Sequence, residues 1–262
     1  MSKRTTEKKL PSDRHTFEAI TFDLFGTLVQ LDERRLPQLN MDGATLPSIL
    51  AAPLIRLHEL LPSVNLGDVL VSYFQAGTAL LQPGARRDQE VQPWAHFAEC
   101  LERIGQENEA LARELAQSQM EATLKAARPV QGALLLLASL RQRGCKLGLV
   151  SNFTDGHYGR ALLSQLKMDS YFDAVVFSGD VGWRKPHRRI FQTVLSAFQM
   201  NASEVLHIGD ELRADIWGAG HCGMSTVWVN PGRETFAGDH PPRLQIRCLA
   251  ALADAGLTLE RK

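Results

Sequence analysis

Asp23, Ser151 with Asn152, Lys185 and Asp210 each close a short apolar run or open a helical one. Taken singly, such residues are usually caps or turn formers. Taken together they are two carboxylates, an ammonium and a hydroxyl, a set suited to an anion and a hard cation. A carboxylate pair holds a cation such as Mg²⁺ through oxygen. The cation and Lys185 then neutralise a phosphoryl group, and Ser151 donates to its oxygens. Asp23 can attack phosphorus to give an aspartyl-phosphate, which water hydrolyses.

That chemistry requires the four positions to converge, and the surrounding elements provide the means. Lys146–Val150, Ala174–Phe177, Val205–Ile208 and Thr226–Val229 are short apolar runs. Helical patterns alternate with them at Gly156–Lys167, Pro186–Met200 and Arg213–Cys222. Strands alternating with helices imply right-handed βαβ units and a parallel sheet. Ala19–Leu24 adds a further strand candidate near the start of the chain. In open α/β sheets ligands bind outside the carboxyl ends of the strands. The candidate residues fall there.

Between Leu31 and Arg128 the strand pattern vanishes. Pro47–Leu61, Leu66–Leu81, Trp94–Ile104 and Gln106–Ala127 read as helices. In the last, Ala112, Ala116, Met120 and Leu124 recur at every fourth position beside Leu111 and Leu115, an amphipathic face that reads as core. The expected fold is α/β, a Rossmann-like parallel-sheet core with an inserted all-helical cap domain. The core takes residues 16–30 and 129–262, the cap 31–128, and residues 1–15 form a disordered leader. Arg86 and Arg87 in the cap read as a solvated turn, and Glu211 and Arg213 as decoration of a helix's first turn.

Composition excludes several classes. The 262 residues carry 29 basic and 29 acidic side chains, so no basic excess points to nucleic acid. Gly132–Leu140, the best apolar run, is too short to span a bilayer, and no secretory signal is readable. The expectation is a cytoplasmic protein with a small-molecule substrate; oligomeric state is not legible. Cys100, Cys145, Cys222 and Cys248 lie far apart without a C-x-x-C pair, so neither a disulfide framework nor structural zinc is expected. The eight histidines are scattered, and no histidine metal site is expected either. Gly218-Ala-Gly220-His-Cys-Gly223 fits a dinucleotide fingerprint, but it ends a helix and precedes a strand, the reverse of the required order.

Phe22-Asp-Leu-Phe-Gly-Thr-Leu28, Val150-Ser-Asn152, Arg184-Lys-Pro186 and Ile208-Gly-Asp-Glu-Leu-Arg-Ala-Asp215 resemble the four ordered motifs of the haloacid dehalogenase (HAD) superfamily. The insertion point resembles the subgroup whose helical cap follows the first motif. The resemblance implies that Asp23 is nucleophile and metal ligand, and that Asp210 is a metal ligand. Asp215 would support the metal directly or through water, and the Phe25 carbonyl would face it. Ser151 and Asn152 would bind the phosphoryl group, and Lys185 would hold both the nucleophile and the charge. Thr27 would contact the transferred group or brace the loop.

One departure matters. Superfamily phosphatases usually carry a second aspartate two residues after the nucleophile, to protonate the leaving oxygen. Phe25 stands there and can do no such thing. General acid–base help is worth ~10²–10⁴-fold. An aromatic residue here also resembles the family's carbon–halogen hydrolases, whose leaving halide needs no proton. Those enzymes dispense with a metal, however, whereas Asp210 with Asp215 matches the metal-binding pattern. The expectation is therefore a Mg²⁺-dependent hydrolase of small phosphorylated metabolites. A dehalogenase-like carbon–halogen hydrolase, or a catalytically weak ligand- or partner-binding member, is the alternative.

Overall fold

The computed structural model describes residues 17–41, 44–80, 88–232 and 234–254. The leader expected at 1–15 lies outside these residues, as do Arg86 and Arg87. Strand β1 (Ala19–Phe22) is buried at every position, because helices cover both faces of its sheet. The chain then forms β2 (Val29–Leu31), β3 (Gln38–Met41) and β4 (Ala44–Pro47). Four helices follow, α1 (Ala51–Leu60), α2 (Leu66–Leu80), α3 (Ala95–Arg103) and α4 (Glu109–Ala126). β5 (Ala127–Pro129) pairs antiparallel with β2 and closes the insertion at its base.

These helices fall where the sequence predicts them. The β3–β4 hairpin is an addition to that helical pattern. Its strands are four residues each, too short for a period of two to stand out from a loop.

After β5 the strands and helices alternate. α5 (Ala133–Gln142) leads into β6 (Lys146–Ser151), α6 (Gly156–Gln165), β7 (Ala174–Phe177) and the short α7 (Ser178–Val181). α8 (Arg188–Phe198) and β8 (Val205–Gly209) precede a π-helical turn at Leu212–Trp217, which runs into α9 (Gly218–His221). β9 (Ser225–Val229), β10 (Leu244–Ile246) and α10 (Ala250–Asp254) complete the described chain. The glycines of the apparent fingerprint do end a helix before a strand.

The sheet order is β10-β9-β8-β1-β6-β7, and every pairing is parallel. The five expected strands are all in it. The sixth, β10, is a three-residue edge strand that is too brief to announce itself in the sequence. β1 lies between β6 and β8, with Phe22 in register with Leu149 and Ile208. The residues that follow these three strands therefore emerge side by side.

One apolar cluster joins Phe22, Leu149 and Ile208 to α5 and α6; a second packs Ile190, Phe191 and Val194 of α8 against Val150 and Val176. The insertion has a cluster of its own around Leu54, Leu57, Phe97, Leu101 and Leu115. α4 spans both regions, with Leu111 and Leu115 in the insertion and Met120 and Leu124 against the sheet cluster. Among the described residues no helix is long and apolar enough to cross a membrane.

Candidate active site

The candidate residues converge where β1, β6 and β8 end. Asp23 is almost fully buried, and its backbone N–H donates to the Ile208 carbonyl at 2.9 Å. Lys185, 4% exposed, donates to Asp23 Oδ1 at 2.5 Å and to Asp215 Oδ1 at 2.6 Å. The lysine is held at its backbone by Asn152. The Asn152 amide donates to the Lys185 carbonyl at 3.0 Å and accepts from its N–H at 2.6 Å. The Asn152 side chain thus engages both the N–H and the carbonyl of Lys185 and clasps its peptide. Ser151, the last residue of β6, is buried beside it.

Asp215 is held by three partners. Besides Lys185, its Oδ1 lies 3.1 Å from His207 Nε2, and its Oδ2 accepts from the Glu211 N–H at 3.0 Å. The π turn makes this possible, with the Asp215 and Ile216 N–H groups both donating to the Glu211 carbonyl. His207 Nδ1 in turn lies 2.9 Å from Thr21 Oγ1. A buried chain thus runs Thr21, His207, Asp215, Lys185, Asp23. Thr21 and His207 were not singled out in the sequence, because each sits inside an apolar strand run. The available signal is the parallel register that sets Thr21 opposite His207, and it needs the sheet order to be known.

Asp210 is more open. Thr27 Oγ1 donates to its Oδ1 at 3.3 Å, and Trp228 Nε1 donates to its backbone carbonyl at 2.9 Å. Gly26 makes the space. It has a φ of +87°, and a Cβ there would stand 2.1 Å from Asp210 Oδ2. Only glycine suits both the backbone and the carboxylate.

Charge follows from these surroundings. Burial pushes Asp23 up to about 7 against the pull of Lys185, with Asp215 and Asp210 adding to the rise. Burial, aided by Asp215, likewise raises Asp210 to about 6. Burial alone would raise Asp215 too, but Lys185 and His207 outweigh it and hold that carboxyl well below its ordinary value. Lys185 is kept firmly protonated, since Asp215 and Asp23 overcome its desolvation. Burial pushes His207 down, toward the neutral ring.

The residues present fit a hard divalent cation. One oxygen from each of Asp23, Asp210 and Asp215 lies within 4.8 Å of the others. Three carboxylates face one ammonium, which leaves two negative charges for a cation to balance. An all-oxygen donor set matches Mg²⁺ rather than a thiolate- or imidazole-seeking metal.

Phe25, two residues after Asp23, is partly buried against the sheet cluster. Its ring stacks on Phe153 at 6.0 Å, and Phe153 packs against Phe177 at 5.9 Å. The insertion reaches the same place through Glu90, whose nearly buried carboxylate pairs with Arg184 at 2.9 and 3.1 Å. Arg184 N–H donates to the Asp88 carbonyl at 2.7 Å, and the Asp88 side chain accepts from Arg213 at 3.2 Å.

Residues 70–229 match the model of the haloacid dehalogenase-like hydrolases, and the chain belongs to that family. A glyceraldehyde 3-phosphate phosphatase from Pyrococcus abyssi is 39% identical over 106 residues, 40% of this chain and 44% of the relative. The chain thus matches less than half of that relative's length. A ribulose-1,5-bisphosphate 5-phosphatase from Halopiger xanaduensis is 28% identical over 86% of this chain and 90% of its own. In fold, the chain resembles the magnesium-bound HAD-hydrolase YfnB from Bacillus subtilis. That match has a TM-score of 0.63 at 23% identity and covers 92% of this chain and 98% of YfnB.

Proposed function

We propose that the protein is a Mg²⁺-dependent phosphohydrolase of small phosphorylated metabolites, working in the cytoplasm through an aspartyl-phosphate on Asp23. Residues 31–128 serve as a cap over the strand ends, with 16–30 and 129–262 as the core. One observation supports this above the rest: Asp23 shares Lys185 with Asp215 while Asp210 closes a carboxylate triangle of excess negative charge.

Asp23, Asp210 and the Phe25 carbonyl would hold the cation, with Asp215 supporting it directly or through water. When bound, Mg²⁺ supplies positive charge that draws in a phosphoryl oxygen and offsets the charge growing on it. Lys185 fixes one Asp23 oxygen, and the other attacks phosphorus. The phosphorus–oxygen ester bond breaks, and the leaving oxygen keeps the bonding pair and takes a proton from solvent. Ser151 donates to the transferred group, Thr27 braces Asp210 and Asn152 braces Lys185. Water then attacks the phosphorus of the aspartyl-phosphate, which releases phosphate and a proton and restores the Asp23 carboxylate.

Phe25 favours a second reading, carbon–halogen cleavage by Asp23; the Asp210 and Asp215 pair speaks against it. Assay of phosphate esters and 2-haloacids, each with Mg²⁺ or EDTA, separates the two. Phosphate release that needs Mg²⁺ and falls to background in Asp23→Asn is the expected result. Chloride release undiminished by EDTA overturns the proposal.

The names of the relatives point to alkyl phosphates of short carbohydrates. With Phe25 at the leaving-group side, aryl and acyl phosphates should nonetheless be cleaved faster than these. Phe25→Asp should raise alkyl phosphate turnover by roughly 10²-fold, the lower end of what a general acid provides. The measurement is log rate against leaving-group pKa for both proteins. Equal slopes would show that another group supplies the proton.

A further inference from the structure

A second cluster of potential ligands lies outside the carboxylate centre, formed by histidines far apart in the sequence. His221 at the end of α9 meets Asp239 and His240 from the segment after β9. One ligand atom from each lies within 4.8 Å of the others, and all three residues are exposed to solvent. His221 Nε2 is 3.5 Å from Asp239 Oδ2, and the two imidazole rings are 4.2 Å apart at their centroids.

Two features show that the cluster is built. His221 Nδ1 lies 2.9 Å from the Trp217 carbonyl, which can only accept, so Nδ1 carries the proton. That bond leaves the Nε2 lone pair toward Asp239 and His240, the orientation that metal-bound histidines usually owe to a backbone or carboxylate acceptor. The ring is also fixed by packing on Trp217, 3.8 Å away. The second feature is Gly220. A Cβ at that position would lie 2.8 Å from His240 Cβ, so a glycine is what lets His240 come up to its partner.

We propose that His221, Asp239 and His240 bind a borderline divalent cation of the Zn²⁺ class. Two imidazoles and one carboxylate suit such an ion, whereas Mg²⁺ selects oxygen donors. Metal–nitrogen bonds of about 2.0–2.1 Å would draw the three ligands together by roughly an ångström, which exposed side chains can supply by rotation. The ion would fasten the segment after β9 to α9, the continuation of the turn that carries Asp215. It would do so at the rim of a 720 Å³ cavity lined by Trp217, His221, Phe236, Gly238, Arg188 and Arg213. The site stands whether or not the hydrolase reading holds.

The test uses untagged, metal-stripped full chain with excess Mg²⁺ and less than one equivalent of Cu²⁺ as the spectroscopic probe. The paramagnetic resonance spectrum should show hyperfine splitting from two nitrogens. It should lose that pattern in His221→Ala and in His240→Ala, and keep it in Asp210→Asn. Calorimetry with Zn²⁺ should find one site that is absent from both histidine variants, and about tenfold weaker in Gly220→Ala, which displaces His240. A wild-type spectrum without two nitrogens overturns the site. So does a two-nitrogen spectrum that survives either histidine substitution.

Discussion

Asp215 and Asp210 lie five residues apart after β8, with oxygens within 4.8 Å of each other, yet they occupy opposite environments. Asp215 takes Lys185, His207 and a backbone N–H, and it is held in its charged form. Asp210 takes one hydroxyl at 3.3 Å, and burial pushes it toward protonation. A carboxylate that already accepts three hydrogen bonds holds its neighbours in place. One left short of donors is available to a cation. The contrast teaches that two aspartates five residues apart can meet opposite surroundings, one held by donors and the other left short of them.

Removing Asp215 should give the largest effect on folding. Asp215→Ala strips Lys185 of one partner and leaves His207 and the Glu211 N–H facing an apolar gap. Breaking a buried pair in this way costs roughly 3–5 kcal/mol, readable as a lowered denaturation midpoint with Mg²⁺ absent. A loss below about 1 kcal/mol would make Asp215 just another ligand and erase the contrast.

Asp210→Asn should act in the opposite sense. Phosphatase activity should fall to background while the metal-free protein becomes more stable. The sign follows from the raised pKa of Asp210. Its folded form holds a proton that the unfolded chain has already released, so its contribution is full below about pH 4 and fades as pH rises through about 6. Asn removes that decline. Above pH 6 the metal-free variant should melt roughly 2–4 °C higher than wild type, about 1 kcal/mol after discounting for partial solvent exposure. Thermal scans in EDTA between pH 4 and 8 check it, and parallel curves for the two proteins refute it.

Thr27→Val tests the weaker arm. Losing one hydroxyl donor is worth about 0.5–1.5 kcal/mol, so the Mg²⁺ concentration for half-maximal activity should shift by roughly three- to tenfold. The fold itself should be unaffected. An unchanged Mg²⁺ requirement would place Thr27 at the phosphoryl group instead.

How much of this was legible in the sequence depended on range. Asp23, Ser151, Lys185 and Asp210 could be read because each ends or follows a strand or opens a helix, a purely local signal, whereas Asp215, inside the π turn, was legible only through the resemblance to the family's fourth motif. The role of Asn152 could not, since its partner is the Lys185 backbone 33 residues on. Thr21 and His207 were hidden because a buried polar residue inside an apolar strand looks like any other core position until its neighbour strand is known. His221 and His240 were hidden because β9 and an irregular segment separate them, and only the fold brings them together. β10 and the β3–β4 hairpin escaped because three or four residues cannot establish an alternation.

The pairing of Glu90 with Arg184 has a mechanical consequence. Arg184 is the residue before Lys185, and the Lys185 peptide is gripped by Asn152. A displacement of Glu90 must therefore either rupture a partly buried ion pair or tug on the peptide that aims the ammonium at Asp23. The helical segment and the ammonium are moored to the same two adjacent residues.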